Sequence, residues 1–316
     1  MKIVGLSTYL PQGRVDNQHF SAATGRAPEW FLRLTGITER RRAERGENAG
    51  VLATRAVAGL RATHAELLSQ VDYIIGCSYT PWDTVGTLAH VVQREFELTK
   101  ARAIYISSAC SSVFNALEIA RSLLESRCSK VILVVAAEHN SLYSRDSDDQ
   151  SGHLWGDGAA AMLLANGTST GACLDVVDVL TAGLGHLGQG PAGVCLTPAQ
   201  HGLVMPHGKD VFAHAVREMG NTANALLTKA GLIPADLDLL VPHQANLRII
   251  DGVAQRIGID REKVATSISL LGNTGCASTL ITLQQHRENL RPGSNVLLVA
   301  FGGGYSSGGA LLRVAA

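Results

Sequence analysis

Three short segments hold side chains that could do covalent chemistry. They are Cys110 in "ISSACSS", His243 in "VPHQAN" and Asn273 in "LLGNTGCAS". A structural cysteine is a small hydrophobe that packs anywhere in a core. Cys110 is set differently, between the small residues Ser107, Ser108 and Ala109 and an amphipathic pattern in which Val113, Leu117, Ile119, Ala120 and Leu124 recur at about helical spacing. A helix N-terminus offers unpaired N–H groups and the positive end of a dipole, which stabilise a thiolate and lower its pKa. The expectation is a nucleophilic thiol. His243 ends an apolar run and precedes a helical pattern; alone it would more often be a hydrogen-bonded structural residue. Asn-Thr-Gly alone is ordinary turn chemistry. What raises all three is their place in the chain.

The elements around them repeat. Strand-like runs "VDYIIGCSYT" at 71, "RAIYISSAC" at 102 and "SKVILVVAAE" at 129 alternate with helical segments, which implies an α/β fold. The series recurs as "LDLLVPHQAN" at 237, "VATSISLLGNTGCAS" at 264 and "SNVLLVAFGGGYSSGGALL" at 294, displaced by roughly 165 positions. Two similar halves, 1–168 and 169–316, are expected. Ser78 then matches His243, and Cys110 matches Asn273. Loops at the carboxyl ends of strands in such sheets gather at one crevice. Cys110, His243, Asn273 and the "FGGG" turn at 301–304 therefore converge.

Other segments carry simpler readings. "GDGAAAM" lacks the spacing of a nucleotide-binding glycine motif and reads as a tight turn with small packing residues. "ERRR" at 39–42 reads as a solvated face or loop. The Gly-rich stretch 183–202 reads as a long loop over the crevice, and "HNSLYSRDSDDQSGHLWGDG" supplies most of the length difference between the halves.

Composition excludes several classes. With 316 residues, 46% hydrophobic and 17% charged, the chain has ample material for a core. Lys plus Arg and Asp plus Glu both number 27, so no global charge points to nucleic acid or a membrane surface. The first twenty residues lack a signal-peptide pattern, and no apolar run approaches the roughly 18 residues of a spanning helix, so a cytoplasmic address is expected. Six cysteines without a CxxC pair and histidines without HxxxH or HExxH spacing indicate neither a disulfide framework nor a metal site.

The ordered set of Cys110, "HQAN", "GNTG" and "FGGGYSSGGALL" resembles the ketoacyl-acyl carrier protein synthase III family of the thiolase superfamily, over nearly the whole chain from "WFLRLTGITERRR" at 30 onward. The resemblance implies a thiolase-like fold, its duplicated halves stacked in five α-β-α-β-α layers, and a homodimer. It also implies a decarboxylative Claisen condensation that uses no metal or organic cofactor. In that reaction Cys110 takes an acyl group, and a malonyl thioester on acyl carrier protein loses carbon dioxide and attacks it. Backbone N–H groups of Cys110 and Gly303 would form the oxyanion hole, and His243 and Asn273 would stabilise the enolate. Trp30 would meet the adenine of coenzyme A, and Arg248 and Arg256 would meet the carrier protein.

The chain departs from the family pattern at several places. Leu34 and Asp149/Gln150 stand where arginines are usual, which points to a carrier protein in place of coenzyme A as acyl donor. Ala213 stands where a carrier-binding lysine is often seen. Ser112 replaces a glycine and is expected to narrow or reshape the pocket. The stretch 80–86 and the loop 183–202 are the expected acyl pocket. Two alternatives remain open: a specialised-metabolism acyltransferase with a carrier-protein donor or unusual acceptor, and a catalytically silent partner subunit.

Overall fold

A computed structural model describes residues 1–167 and 173–315, so the expected boundary between the halves at 168/169 lies outside the described residues. Nine strands form one hydrogen-bonded sheet. In chain order they are β1 (Lys2–Tyr9), β2 (Tyr73–Cys77), β3 (Arg102–Ile106), β4 (Val131–Glu138), β5 (Gly158–Ala165), β6 (Leu174–Gly183), β7 (Leu239–Pro242), β8 (Asn295–Gly302) and β9 (Ser306–Val314). Their spatial order is β7-β8-β9-β6-β1-β5-β4-β2-β3. Read outward from the central β1/β6 pair, the two sides follow the same plan: first strand, last, penultimate, second. The pairings agree as well, with β2–β4 and β7–β8 parallel and β4–β5 and β8–β9 antiparallel. The partner that β3 would have in the second half is reduced to one bridge, Leu240 to Val264.

Six helices repeat in the same way: α1 (Ala49–Ser69), α2 (Leu88–Glu95) and α3 (Ser112–Glu125), then α4 (Gly208–Ala230), α5 (Leu247–Ile257) and α6 (Ser278–His286). Period-two alternation of apolar residues places them in layers. Ile132 and Val134 of β4 face one cluster with Phe114 and Leu117 of α3 and Leu280 of α6. Leu133 and Val135 face another with Leu52 and Leu60 of α1. In β8, Val296 and Leu298 join the central cluster, while Leu297 and Val299 pack on Met219 of α4 and Ile250 of α5. The result is five layers, with α3 and α6 buried between two sheet faces. Strands covered on both faces read as continuous apolar runs, which is why "VILVVAA" and "VLLVAF" show no polar alternation.

The insertion after β4 accounts for the difference between the halves. β8 returns to β9 through the short turn Gly303–Tyr305, whereas β4 and β5 are separated by residues 139–157. The loop 183–202 is more ordered than its composition suggests, closing with a two-stranded hairpin, Cys195–Thr197 with Gly202–Val204. No helix among the described residues is long and apolar enough to cross a membrane.

Candidate active site

Cys110 sits in the tight connection between β3 and α3. Ala109 immediately before it takes φ +50°, a left-handed backbone that an L-residue adopts only under constraint. Ser112 supplies that constraint. Its buried hydroxyl donates to the Ala109 carbonyl at 2.6 Å and accepts the Ser108 N–H at 2.8 Å. This corrects the expectation for Ser112, which reshapes no pocket because its side chain is spent inside the turn. A second pin joins the turn to the "FGGG" segment: Ser306 donates to the Ser108 carbonyl at 3.0 Å and lies 2.8 Å from the Ser111 hydroxyl. A Cβ on Gly302 would fall 3.0 Å from the Cys110 nitrogen, a closeness only glycine permits.

A cavity of about 970 Å³ opens over this turn, lined by Cys110, His243, Asn273 and Gly303 at its reactive end. The backbone N–H groups of Cys110 and Gly303 and the Tyr79 hydroxyl lie beside Cys110 Sγ. These donors favour a thiolate, yet the thiol is pushed up to about 12, first by burial and then by the Glu138 carboxylate. Sequence reasoning expected a lowered pKa and is corrected here: near neutral pH the resting sulfur is a thiol. Burial depresses the histidine in turn, holding His243 at about 3, so its imidazole is neutral.

Asn273 is held by the backbone around it, and His243 Nδ1 lies 2.6 Å from the Ser278 hydroxyl. Asn273 bridges in parallel to Trp155, and its Oδ1 accepts the Gly275 N–H at 2.9 Å, which leaves Nδ2 for the cavity. Gly156 of "GDG" explains that bridge, because a Cβ there would collide with the Leu271 carbonyl. Asp157 beside it is buried and accepts from the Ala43 and Ser141 N–H groups. The motif is thus an extended segment entering β5 and not the expected tight turn, although its small residues are packed and buried as expected.

The mouth is lined by Leu34, Gln150, Lys209 and Arg248. Trp30 is not on the wall; its ring meets His153, which is, at 5.7 Å, and Arg26 lies over it at 5.1 Å while pairing with Asp149 at 2.7 Å. Arg256 is also off the wall: it packs across Gly220 and donates to Asn221 at 3.0 Å. "ERRR" is not a solvated face either. Arg40 is fully buried, donating to the His153 carbonyl and to Asn17, and Arg42 pairs with Asp146. Of the expected acyl pocket, Gln189, Val194, Cys195 and Leu196 from the 183–202 loop reach the cavity, and no residue of 80–86 does.

Lys209 and Tyr79 are among the wall residues that sequence reasoning missed. Lys209 lies one turn before Ala213 on α4 and is exposed at the mouth. Tyr79 follows the carboxyl end of β2, next to the position matched with His243. The rule that strand ends gather at the crevice could have found it.

This fold and this cluster define a thiolase-fold condensing enzyme, an acyltransferase. The signature described as 3-oxoacyl-[acyl-carrier-protein (ACP)] synthase III matches residues 105–181, and its C-terminal counterpart matches residues 227–314. The chain is 34% identical to a beta-ketoacyl-[acyl-carrier-protein] synthase III of Clostridioides difficile (strain 630), over 98% of this chain and 97% of that one. Its structure resembles the 3-oxoacyl-[acyl-carrier-protein] synthase III of Aquifex aeolicus VF5, with a TM-score of 0.91, 32% identity and 99% of each chain covered. It also resembles the priming beta-ketosynthase of the R1128 polyketide pathway, with a TM-score of 0.90, 28% identity, and 99% of this chain and 96% of that one covered. The chain belongs to the 3-oxoacyl-acyl carrier protein synthase III family.

Proposed function

We propose that the protein joins an acyl group carried on Cys110 to a malonyl thioester on acyl carrier protein, with loss of carbon dioxide. The observation that carries this reading is the convergence of Cys110, His243, Asn273 and the Gly303 N–H on one cavity. In acyl transfer, Cys110 Sγ attacks the donor thioester, the two N–H groups take the charge of the tetrahedral intermediate, and the thiol's proton leaves with the departing carrier thiol.

The malonyl group then loses carbon dioxide, and its enolate oxygen accepts hydrogen bonds from His243 and Asn273. The enolate carbon attacks the acyl carbonyl on Cys110, the same N–H pair holds the oxyanion, and collapse expels the Cys110 thiolate. A neutral imidazole suits a hydrogen-bond donor, and Asn273 Nδ2 is a donor at every accessible pH. Lys209 and Arg248 at the mouth provide positive charge for an acidic carrier protein. Arg256, off the cavity wall, is assigned to the same outer surface.

Trp82 and Val85 are 63% and 85% exposed on the 80–86 loop, beside the edge strand β3. This exposure supports a homodimer in which that loop meets the second subunit. The test of the function is the intact mass of the protein after exposure to acyl-coenzyme A and acyl-carrier-protein donors. Carbon dioxide and product are then measured with malonyl carrier protein. Label on Cys110 without condensation would favour a plain acyltransferase, and absence of label would favour a silent subunit.

A further inference from the structure

The strand-end turn Ser78–Thr80 is organised around one buried carboxylate. Glu138, at the end of β4, accepts from the Ser78 hydroxyl at 2.9 Å, the Thr80 N–H at 3.1 Å, the Thr80 hydroxyl at 2.5 Å and the Tyr79 N–H at 3.3 Å. The Tyr79 backbone is thereby fixed, and its ring is aimed inward past Gly275, where a Cβ would come within 2.7 Å of the Tyr79 hydroxyl. That hydroxyl is buried and makes no hydrogen bond in the resting structure. It lines the cavity with Cys110 and faces the sulfur. A buried hydroxyl without a partner is costly, and such a cost persists where the group serves the reaction.

We propose that Tyr79 is a further catalytic residue, its phenolic O–H donating a hydrogen bond to Cys110 Sγ whenever that sulfur carries negative charge. This rests on Cys110 being the nucleophile. The charge appears twice, on the attacking sulfur during acyl transfer and on the leaving sulfur when the condensation product departs. Tyr79 keeps its proton throughout. Burial, Cys110 and Glu138 all disfavour its ionisation, so it acts as a donor and not as a base. Its role offsets a difficulty built into the site, because burial and the Glu138 carboxylate both oppose a thiolate at Cys110. The ionisable groups facing this pair are Glu138 from β4, Cys276 from the segment before α6, and His243 after β7.

The test uses Tyr79→Phe, which keeps the ring and removes the donor. Wild-type protein is first mass-labelled by an acyl thioester, and failure to label Cys110 would overturn the functional reading itself. Given that label, Tyr79→Phe should slow both acylation and iodoacetamide alkylation of Cys110 at pH 8 by about 10- to 100-fold, with a melting temperature no lower than that of the wild type. A residue that only packs would leave the alkylation rate unmoved. If the variant fails to fold, a ring-fluorinated tyrosine at position 79, a stronger donor of the same shape, should raise both rates. Unaltered rates in a folded Tyr79→Phe or in the fluorinated protein would overturn the proposal.

Discussion

His243 Nδ1 lies 2.6 Å from the hydroxyl of Ser278, the first residue of α6, and that same hydroxyl faces the Gln244 N–H at 3.4 Å. We assign the serine oxygen as acceptor from the amide and its proton to Nδ1. In that arrangement Nε2 carries the imidazole proton, available to the cavity that His243 lines. Ser278→Ala frees the tautomer and should slow condensation by about tenfold, while covalent labelling of Cys110 proceeds. Equal loss of both half-reactions would count against this orientation.

Asn273→Ala removes one of two donors to the enolate. It should still form the acyl-enzyme but lose condensation by a factor of about 100 to 1000. Cys110→Ala should do the reverse, abolishing the label while leaving some uncoupled malonyl decarboxylation. Intact mass read beside carbon dioxide release separates the two. An Asn273→Ala variant that condenses at the native rate would place the enolate elsewhere.

Ser112→Ala leaves the half-buried Ser108 N–H without the Ser112 acceptor and releases the Ala109 carbonyl. Chemical denaturation should show a loss of about 1 to 3 kcal/mol, and acylation should slow because the Ala109 backbone is no longer held. Native stability in this variant would mean that the turn is fixed by the Ser306 contacts alone.

Glu138 is held at about 7, raised by burial. The folded state therefore binds its proton more tightly than the unfolded chain. This contribution to stability is full below about pH 4.5 and is lost as pH rises through 7, a change of about 3 kcal/mol. Comparing melting temperatures across pH 4.5 to 8, Glu138→Gln should flatten that decline. Parallel curves for the two proteins would show that Glu138 does not titrate in this range.

Leu34 and Gln150 line the mouth without charge, and Arg26 is already paired with Asp149. Acyl transfer from a carrier-protein thioester should therefore exceed transfer from coenzyme A bearing the same acyl group, by about tenfold or more. Single-turnover rates on the two donors decide it, and faster transfer from coenzyme A would reverse the assignment. Leu34→Arg should then narrow the gap.

The duplicated fold was legible in the sequence because strands buried on both faces leave continuous apolar runs, and two sets of them repeat at a constant offset. The same regularity brought Cys110, His243 and Asn273 together before any coordinates, since strand ends share one side of a sheet. Residue types alone could not say how the site is charged. Whether a helix terminus lowers a thiol's pKa depends on what else is buried beside it. Here burial first, and then Glu138, 28 residues along the chain from Cys110, reverse the expected direction. Ser112 and Arg40 were misread for the same reason: a serine reads as pocket wall and a run of arginines as surface until packing shows which atoms find partners inside. Tyr79 carries no motif at all. Its hydroxyl gains meaning only where the two halves fold against each other, with Glu138 from one fixing its backbone and Gly275 from the other making room for its ring.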